Sequence, residues 1–140
     1  MDGVPEPFVV AVPQVLAEQW GSGSPGSVSW TTLVSADRTP SAGLTVGVAE
    51  ISPGAPDQVF LHRHEPPEVY QVLSGRGEVV VDDAVLSVAA GSTVFIPGGA
   101  WHSARNTGSE PLRLMYVFAV DEFGEVVYEF LDGDPAGGAS

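Results

Sequence analysis

No cysteine and no lysine occur in these 140 residues. The first absence removes disulfides, thiolate metal ligands and a cysteine nucleophile. The second leaves five arginines as the only basic side chains apart from histidine, against 18 acidic ones, for a formal net charge of −13. Such a surface repels phosphate backbones and anionic headgroups, so neither nucleic acid nor membrane is expected as a partner. The charge either keeps the chain in solution or draws in a cationic small molecule. Apolar runs of membrane-spanning length are missing, and Pro5, Pro7 and Pro13 break up the start where a signal peptide would carry its apolar core. A cytoplasmic location is expected. Histidine is scarce too, with only three in the chain, His62, His64 and His102.

What is present is strand chemistry. Residues 1–27 form a Pro-rich N-terminal arm, with one or two helical turns expected over 14–20 and stopped by the Gly-Ser-Gly-Ser-Pro-Gly run at 21–26. From residue 28 onward, short runs rich in Val, Thr, Leu and aromatics alternate with turn residues. The expected strands are 28–35, 43–51, 57–64, 68–74, 77–82, 84–88, 93–96, 101–106, 111–119 and 126–130. Turn chemistry at Ser52-Pro53-Gly54, Ser74-Gly75, Asp82-Asp83, Ala90-Gly91 and Pro97-Gly98-Gly99 separates them. So many close-spaced strands in one domain, 28–131, imply an all-β fold, a closed or two-sheet antiparallel barrel. Residues 132–140 read as a flexible tail.

Alternation then assigns faces. Side chains two apart on a strand share a face, so His62 and His64 project together while Arg63 points away. Pro66-Pro67 turns the chain, and Glu68 opens the next strand with Tyr70 and Val72 on its face. Two imidazoles and a carboxylate converging from strands make a metal site short of one ligand. His102, in a comparable setting, is the remaining histidine. Imidazole and carboxylate without thiolate suit Fe, Mn, Ni, Zn or Co as the divalent ion. Four protein ligands on an octahedral ion leave two positions for water, substrate or oxygen.

Two stretches resemble the paired motifs of the cupin superfamily. His62-x-His64-x3-Glu68-x6-Gly75 is similar to the first, and Gly91-x5-Pro97-x-Gly99-x2-His102-x3-Asn106 to the second. The glycine that precedes the first histidine is Gly54, two residues further upstream than the motif has it, which implies a longer lead-in turn. The resemblance implies a small single-domain cupin, a jelly-roll barrel holding one metal on His62, His64, Glu68 and His102. The spacing Glu-x-Tyr and the strand runs at 43–51 and 116–128 are similar to the short DddK-type dimethylsulfoniopropionate lyases. That resemblance implies Tyr70 as the base of a β-elimination and Tyr128 as a second tyrosine of the same pocket. Small cupins commonly pair, so a homodimer is expected.

Tyr70 also stands out without the resemblance, because it lies two residues after Glu68 on one face. A phenol with a pKa of about 10 is a poor base at neutral pH, but a nearby metal ion favours phenolate. The alternative is a pocket-wall tyrosine. Asn106 either orients a ligand or bonds the barrel backbone. Arg63, Arg76 and Arg105 alternate away from the metal face, and Trp101 is expected outside or at the rim. The function expected is a metal-dependent lyase, cyclase or isomerase acting on a small carbonyl- or carboxylate-bearing molecule. An Fe(II) dioxygenase and a non-catalytic small-molecule-binding barrel are the alternatives.

Overall fold

The computed structural model describes residues 6–14, 17–20, 28–54 and 61–131. Two antiparallel sheets face each other. The larger sheet contains β1 (Glu18–Trp20), β2 (Val28–Val34), β3 (Thr45–Ile51), β5 (Glu68–Ser74), β8 (Thr93–Ile96) and β10 (Leu112–Phe118), in the order β1-β2-β3-β10-β5-β8. The smaller contains β4 (His62–Arg63), β6 (Arg76–Val81), β7 (Ala84–Ala89), β9 (His102–Asn106) and β11 (Glu129–Phe130), in the order β11-β4-β9-β6-β7. Non-sequential neighbours within two facing sheets are the jelly-roll arrangement. Among the described residues no helix is long and apolar enough to cross a membrane.

The period of two fixes the core. On β10, Leu112, Leu114, Tyr116 and Phe118 are buried while Arg113, Met115 and Val117 are half-buried on the other side. The same alternation buries Glu68, Tyr70 and Val72 on β5. The inward side chains of both sheets meet in one cluster that includes Val79, Ile96, Leu112, Leu114 and Phe118. Burying a side chain of this size contributes roughly 1.5–3 kcal/mol. Across the outer face of the larger sheet a second row stays apolar, with Val69 opposite Phe95 and Val117, and Val46 opposite Val117 and Val34.

Two expectations change. Among the described residues, the helical turns expected over 14–20 give way to a 3-10 turn at Val12–Gln14 and to β1, which pairs antiparallel with β2 at the sheet edge; residues 15–16 and the expected stop at 21–26 lie outside the described residues. A seven-residue helix nucleates poorly, and the free edge of β2 offers backbone partners in its place. Part of the expected N-terminal arm therefore belongs to the sheet, with the Arg38 guanidinium on Glu18 at 2.9 Å. The strand expected over 126–130 is confined to Glu129–Phe130, because Phe123–Glu125 forms a 3-10 turn first. The lead-in at 57–60 and the expected tail at 132–140 lie outside the described residues.

Candidate metal centre

Three backbone devices bring the histidines together. β4 and β9 pair in the register His62↔His102, which places those two side chains side by side. Gly99, at φ 81°, donates its N–H to the His64 carbonyl at 2.8 Å. A Cβ on Gly98 would overlap the Glu65 carbonyl, so the turn before β9 runs directly against the turn after β4. Gly98 and Gly99 thus join the two ligand-bearing loops.

The result is a buried cluster. One ring nitrogen each from His62, His64 and His102 lies within 4.8 Å of the others. A single carboxylate oxygen, Glu68 Oε1, stands 3.2 Å from His64 Nε2 and 3.2 Å from His102 Nε2. Phe118 packs edge-on against His64 at 5.1 Å, and Phe130 lies 5.7 Å from His62. All four polar residues are buried.

Hydrogen bonding on the far side of two rings fixes their chemistry. His64 Nδ1 faces the Pro66 carbonyl at 2.8 Å, and His102 Nδ1 faces the Ala100 carbonyl at 2.9 Å. A carbonyl oxygen only accepts, so both Nδ1 atoms carry hydrogen. In the neutral imidazole each Nε2 then presents a lone pair, and both lone pairs point at an oxygen of the same carboxylate. Such a cluster calls for positive charge in its middle, either extra protons or a cation. Carbonyl-braced imidazoles are how proteins orient metal ligands. The donor set of three imidazoles and one carboxylate, with no sulfur, fits a divalent first-row ion.

The cluster opens into a cavity of about 100 Å³. A single water takes roughly 10–15 Å³ on this measure, so the space suits a compact organic molecule. His62, Glu68, Tyr70, Tyr116 and Tyr128 line it together with Trp30. Tyr70 lies 6.2 Å from the His102 ring, and Tyr128 lies 5.1 Å from His62 and 5.2 Å from His64. Both tyrosines expected at the pocket therefore face the histidines. Burial pushes the Tyr70 phenol well above its ordinary range, and the Glu68 carboxylate pushes it the same way. Tyr128 is raised for the same two reasons. A bound cation acts in the opposite direction.

The third tyrosine, Tyr116, is one that the sequence alone leaves among the core residues. It lines the same cavity, and its hydroxyl sits 3.2 Å from Thr32 Oγ1. Burial raises it to about 12, against a lowering by the Thr32 hydrogen bond. The open alternative for Asn106 resolves to bracing: its Nδ2 donates to the carbonyls of Ile51 at 2.9 Å and Glu110 at 2.7 Å, and its Oδ1 accepts from Gly108 N at 2.8 Å. Arg63 forks onto Glu129 at 2.9 and 3.1 Å and lies 4.5 Å over the Trp101 ring, and neither Arg63 nor Trp101 lines the cavity. Arg105 pairs with Glu78 on the neighbouring strand, and Arg113 lies 3.5 Å from Glu50.

Known proteins are similar to this chain in sequence and in fold. Dimethylsulfoniopropionate lyase DddW of Ruegeria pomeroyi is 38% identical over 105 residues, covering 75% of this chain and 67% of that protein. The solved cupin-2 domain Rru_A2000 of Rhodospirillum rubrum superposes with a TM-score of 0.65 at 26% identity, over 85% of this chain and 78% of that one. The polyketide cyclase RemF of Streptomyces resistomycificus shares the fold at 20% identity, with a TM-score of 0.69 over 94% of this chain and 89% of that one. The family model described as Cupin domain matches residues 47–118, a span that holds all four metal-ligand candidates. The chain belongs to the cupin family.

Proposed function

We propose that this cupin is a metal-dependent lyase that removes an α-proton from a small carboxylate carrying a β-leaving group, with Tyr70 as the base. The observation that carries the reading is the placement of Tyr70 and Tyr128 in one cavity with His62 and Glu68, Tyr70 at 6.2 Å from the His102 ring and Tyr128 at 5.2 Å from the His64 ring. The 38% identity to a dimethylsulfoniopropionate lyase supports this substrate class. An aromatic cavity beside Glu68, in a chain of net charge −13, suits a small cation such as a sulfonium group.

His62, His64, Glu68 and His102 would hold the ion. When bound, a divalent ion at these four residues supplies Lewis-acid polarisation of the substrate carboxylate and positive charge that favours the phenolate of Tyr70. Tyr70 takes the proton from Cα, the released electron pair forms the Cα–Cβ double bond, and the Cβ–S bond breaks. Dimethyl sulfide and acrylate leave, and the proton stays on the tyrosine until solvent removes it. Tyr128, stacked 5.8 Å from Phe130 and 6.1 Å from Phe123, closes the cavity over the histidines and limits water.

The test is an anaerobic assay of the metal-loaded protein with dimethylsulfoniopropionate, followed by acrylate release. Turnover is expected without oxygen. Tyr70→Phe is expected to lose about 10²–10⁴-fold in kcat, the range general base catalysis supplies, with metal content unchanged. Turnover that consumes oxygen would favour a dioxygenase, and tight binding without product would favour a carrier barrel.

A further inference from the structure

Gly47 on β3 stands directly opposite Tyr116 on β10 and Thr32 on β2. A Cβ at Gly47 would overlap both the hydroxyl and Cζ of Tyr116, and it would lie 2.6 Å from the Thr31 carbonyl. The absent side chain is therefore the seat of the tyrosine ring. The ring leaves β10, crosses β3 over Gly47 and ends with its hydroxyl 3.2 Å from Thr32 Oγ1. Phe123 holds it edge-on at 5.9 Å, and Phe118 flanks it at 6.0 Å. Its cross-strand neighbour on the other side is Tyr70.

This ring covers the sheet between the metal end of the cavity, marked by Glu68 and Tyr70 on β5, and the far end, marked by Trp30 on β2. A ligand anchored at the histidines and growing into the cavity meets this wall. We propose that Tyr116, seated on Gly47 and tied to Thr32, is the residue that limits how long a substrate the cavity accepts. The ring does this by volume, and the hydroxyl serves to hold it down. The inference rests on the proposed function only in taking the four-residue cluster as the ligand's anchor.

The test titrates straight-chain carboxylates of increasing length into the Co(II)-loaded full chain and reads occupancy from the visible cobalt bands. Wild type is expected to show a chain length beyond which binding collapses. Tyr116→Leu, whose side chain ends short of Thr32, is expected to move that limit outward. An acid two methylenes beyond the wild-type limit should bind the variant roughly tenfold more tightly than wild type, since each buried CH2 contributes ~0.8 kcal/mol. Tyr116→Phe keeps the ring and is expected to keep the wild-type limit. An unchanged limit in Tyr116→Leu overturns the proposal, and so does an equal shift in Tyr116→Phe. Tyr116→Met replaces the Leu variant should the latter fail to fold. Failure to load cobalt removes the anchor and overturns the metal reading together with this proposal, whereas an unchanged limit in a cobalt-loaded Tyr116→Leu overturns this proposal alone.

Discussion

The carbonyls of Pro66 and Ala100 determine what His64 and His102 can do. Each fixes a hydrogen on Nδ1 and leaves Nε2 facing Glu68. With both rings neutral and no cation, lone pairs would confront a carboxylate; a cation would turn all three groups into ligands. Glu68→Gln separates the two states, because an amide nitrogen donates to Nε2 where a carboxylate cannot. The metal-free variant is expected to melt at or above metal-free wild type, while its affinity for divalent ions falls by at least about tenfold. Calorimetry in chelator checks the first expectation and metal titration the second. A metal-free variant that melts well below wild type would instead indicate that protons on the imidazoles hold the cluster.

Tyr116 gives a second expectation at this scale. Its phenol rises from 10.0 to about 12 on folding, chiefly through burial. The folded state thus holds the proton more tightly than the unfolded chain. The stability from this group is fully present below pH 10 and is lost as pH rises from 10 through 12. At ~1.36 kcal/mol per unit the loss is on the order of 2–3 kcal/mol. Denaturant melts between about pH 9 and pH 12 should show this decline on top of that from the buried Tyr70 and Tyr128, and Tyr116→Phe should make it shallower while losing the Thr32 hydrogen bond at neutral pH.

Among the elements, β4 is two residues long and carries His62, yet it is tied on both sides. It pairs with β9 at His62↔His102 and with β11 at Arg63↔Glu129 and His62↔Phe130. Asn106 performs a similar task at the other end of β9, where it joins three backbone groups. Its removal leaves buried carbonyls and an N–H without that partner, at a cost of about 1–3 kcal/mol for such a group. Asn106→Ala is expected to lower the thermal midpoint by roughly 4–10 °C with metal stoichiometry intact. A loss of metal binding in this variant would make Asn106 part of the ligand machinery.

The strands bearing the site were legible because their signals are local. His62 and His64 share a face by alternation alone, Pro66-Pro67 marks the reversal, and Glu68 heads the next strand. The faces of β5 and β10 come from the same period. What escaped was non-local. The role of Tyr116 depends on a missing side chain on β3 and a hydroxyl on β2, 84 residues away in the chain at Thr32. The strand at Glu18–Trp20 forms only because β2 offers an edge, so its own sequence reads as helix. Asn106 has two readings until the 106–110 turn and the Ile51 carbonyl are placed beside it.

At the scale of the whole molecule, the barrel pins four polar residues from β4, the turn after it, β5 and β9 into an apolar interior. Folding must overcome the burial of that cluster, so an ion that binds only the folded chain stabilises it by mass action. At a free ion concentration of about 100 Kd the gain is ~2.7 kcal/mol, which corresponds to several degrees in the thermal midpoint. The net charge of −13 adds self-repulsion that monovalent salt screens. A modest rise in stability with monovalent salt is therefore expected on top of the metal effect, and melts with and without chelator at fixed ionic strength separate the two.

Proposed substrate, base and cavity wall all depend on three imidazoles and one carboxylate holding a single ion inside this barrel. Elemental analysis after saturation with Fe(II), Mn(II), Ni(II), Zn(II) or Co(II) and removal of excess tests this most directly, on wild type and on His102→Ala. One equivalent of metal per chain in the first and a large loss in the second is the predicted result. A wild-type chain that stays empty under saturation, or a His102→Ala variant that binds as well as wild type, would contradict it.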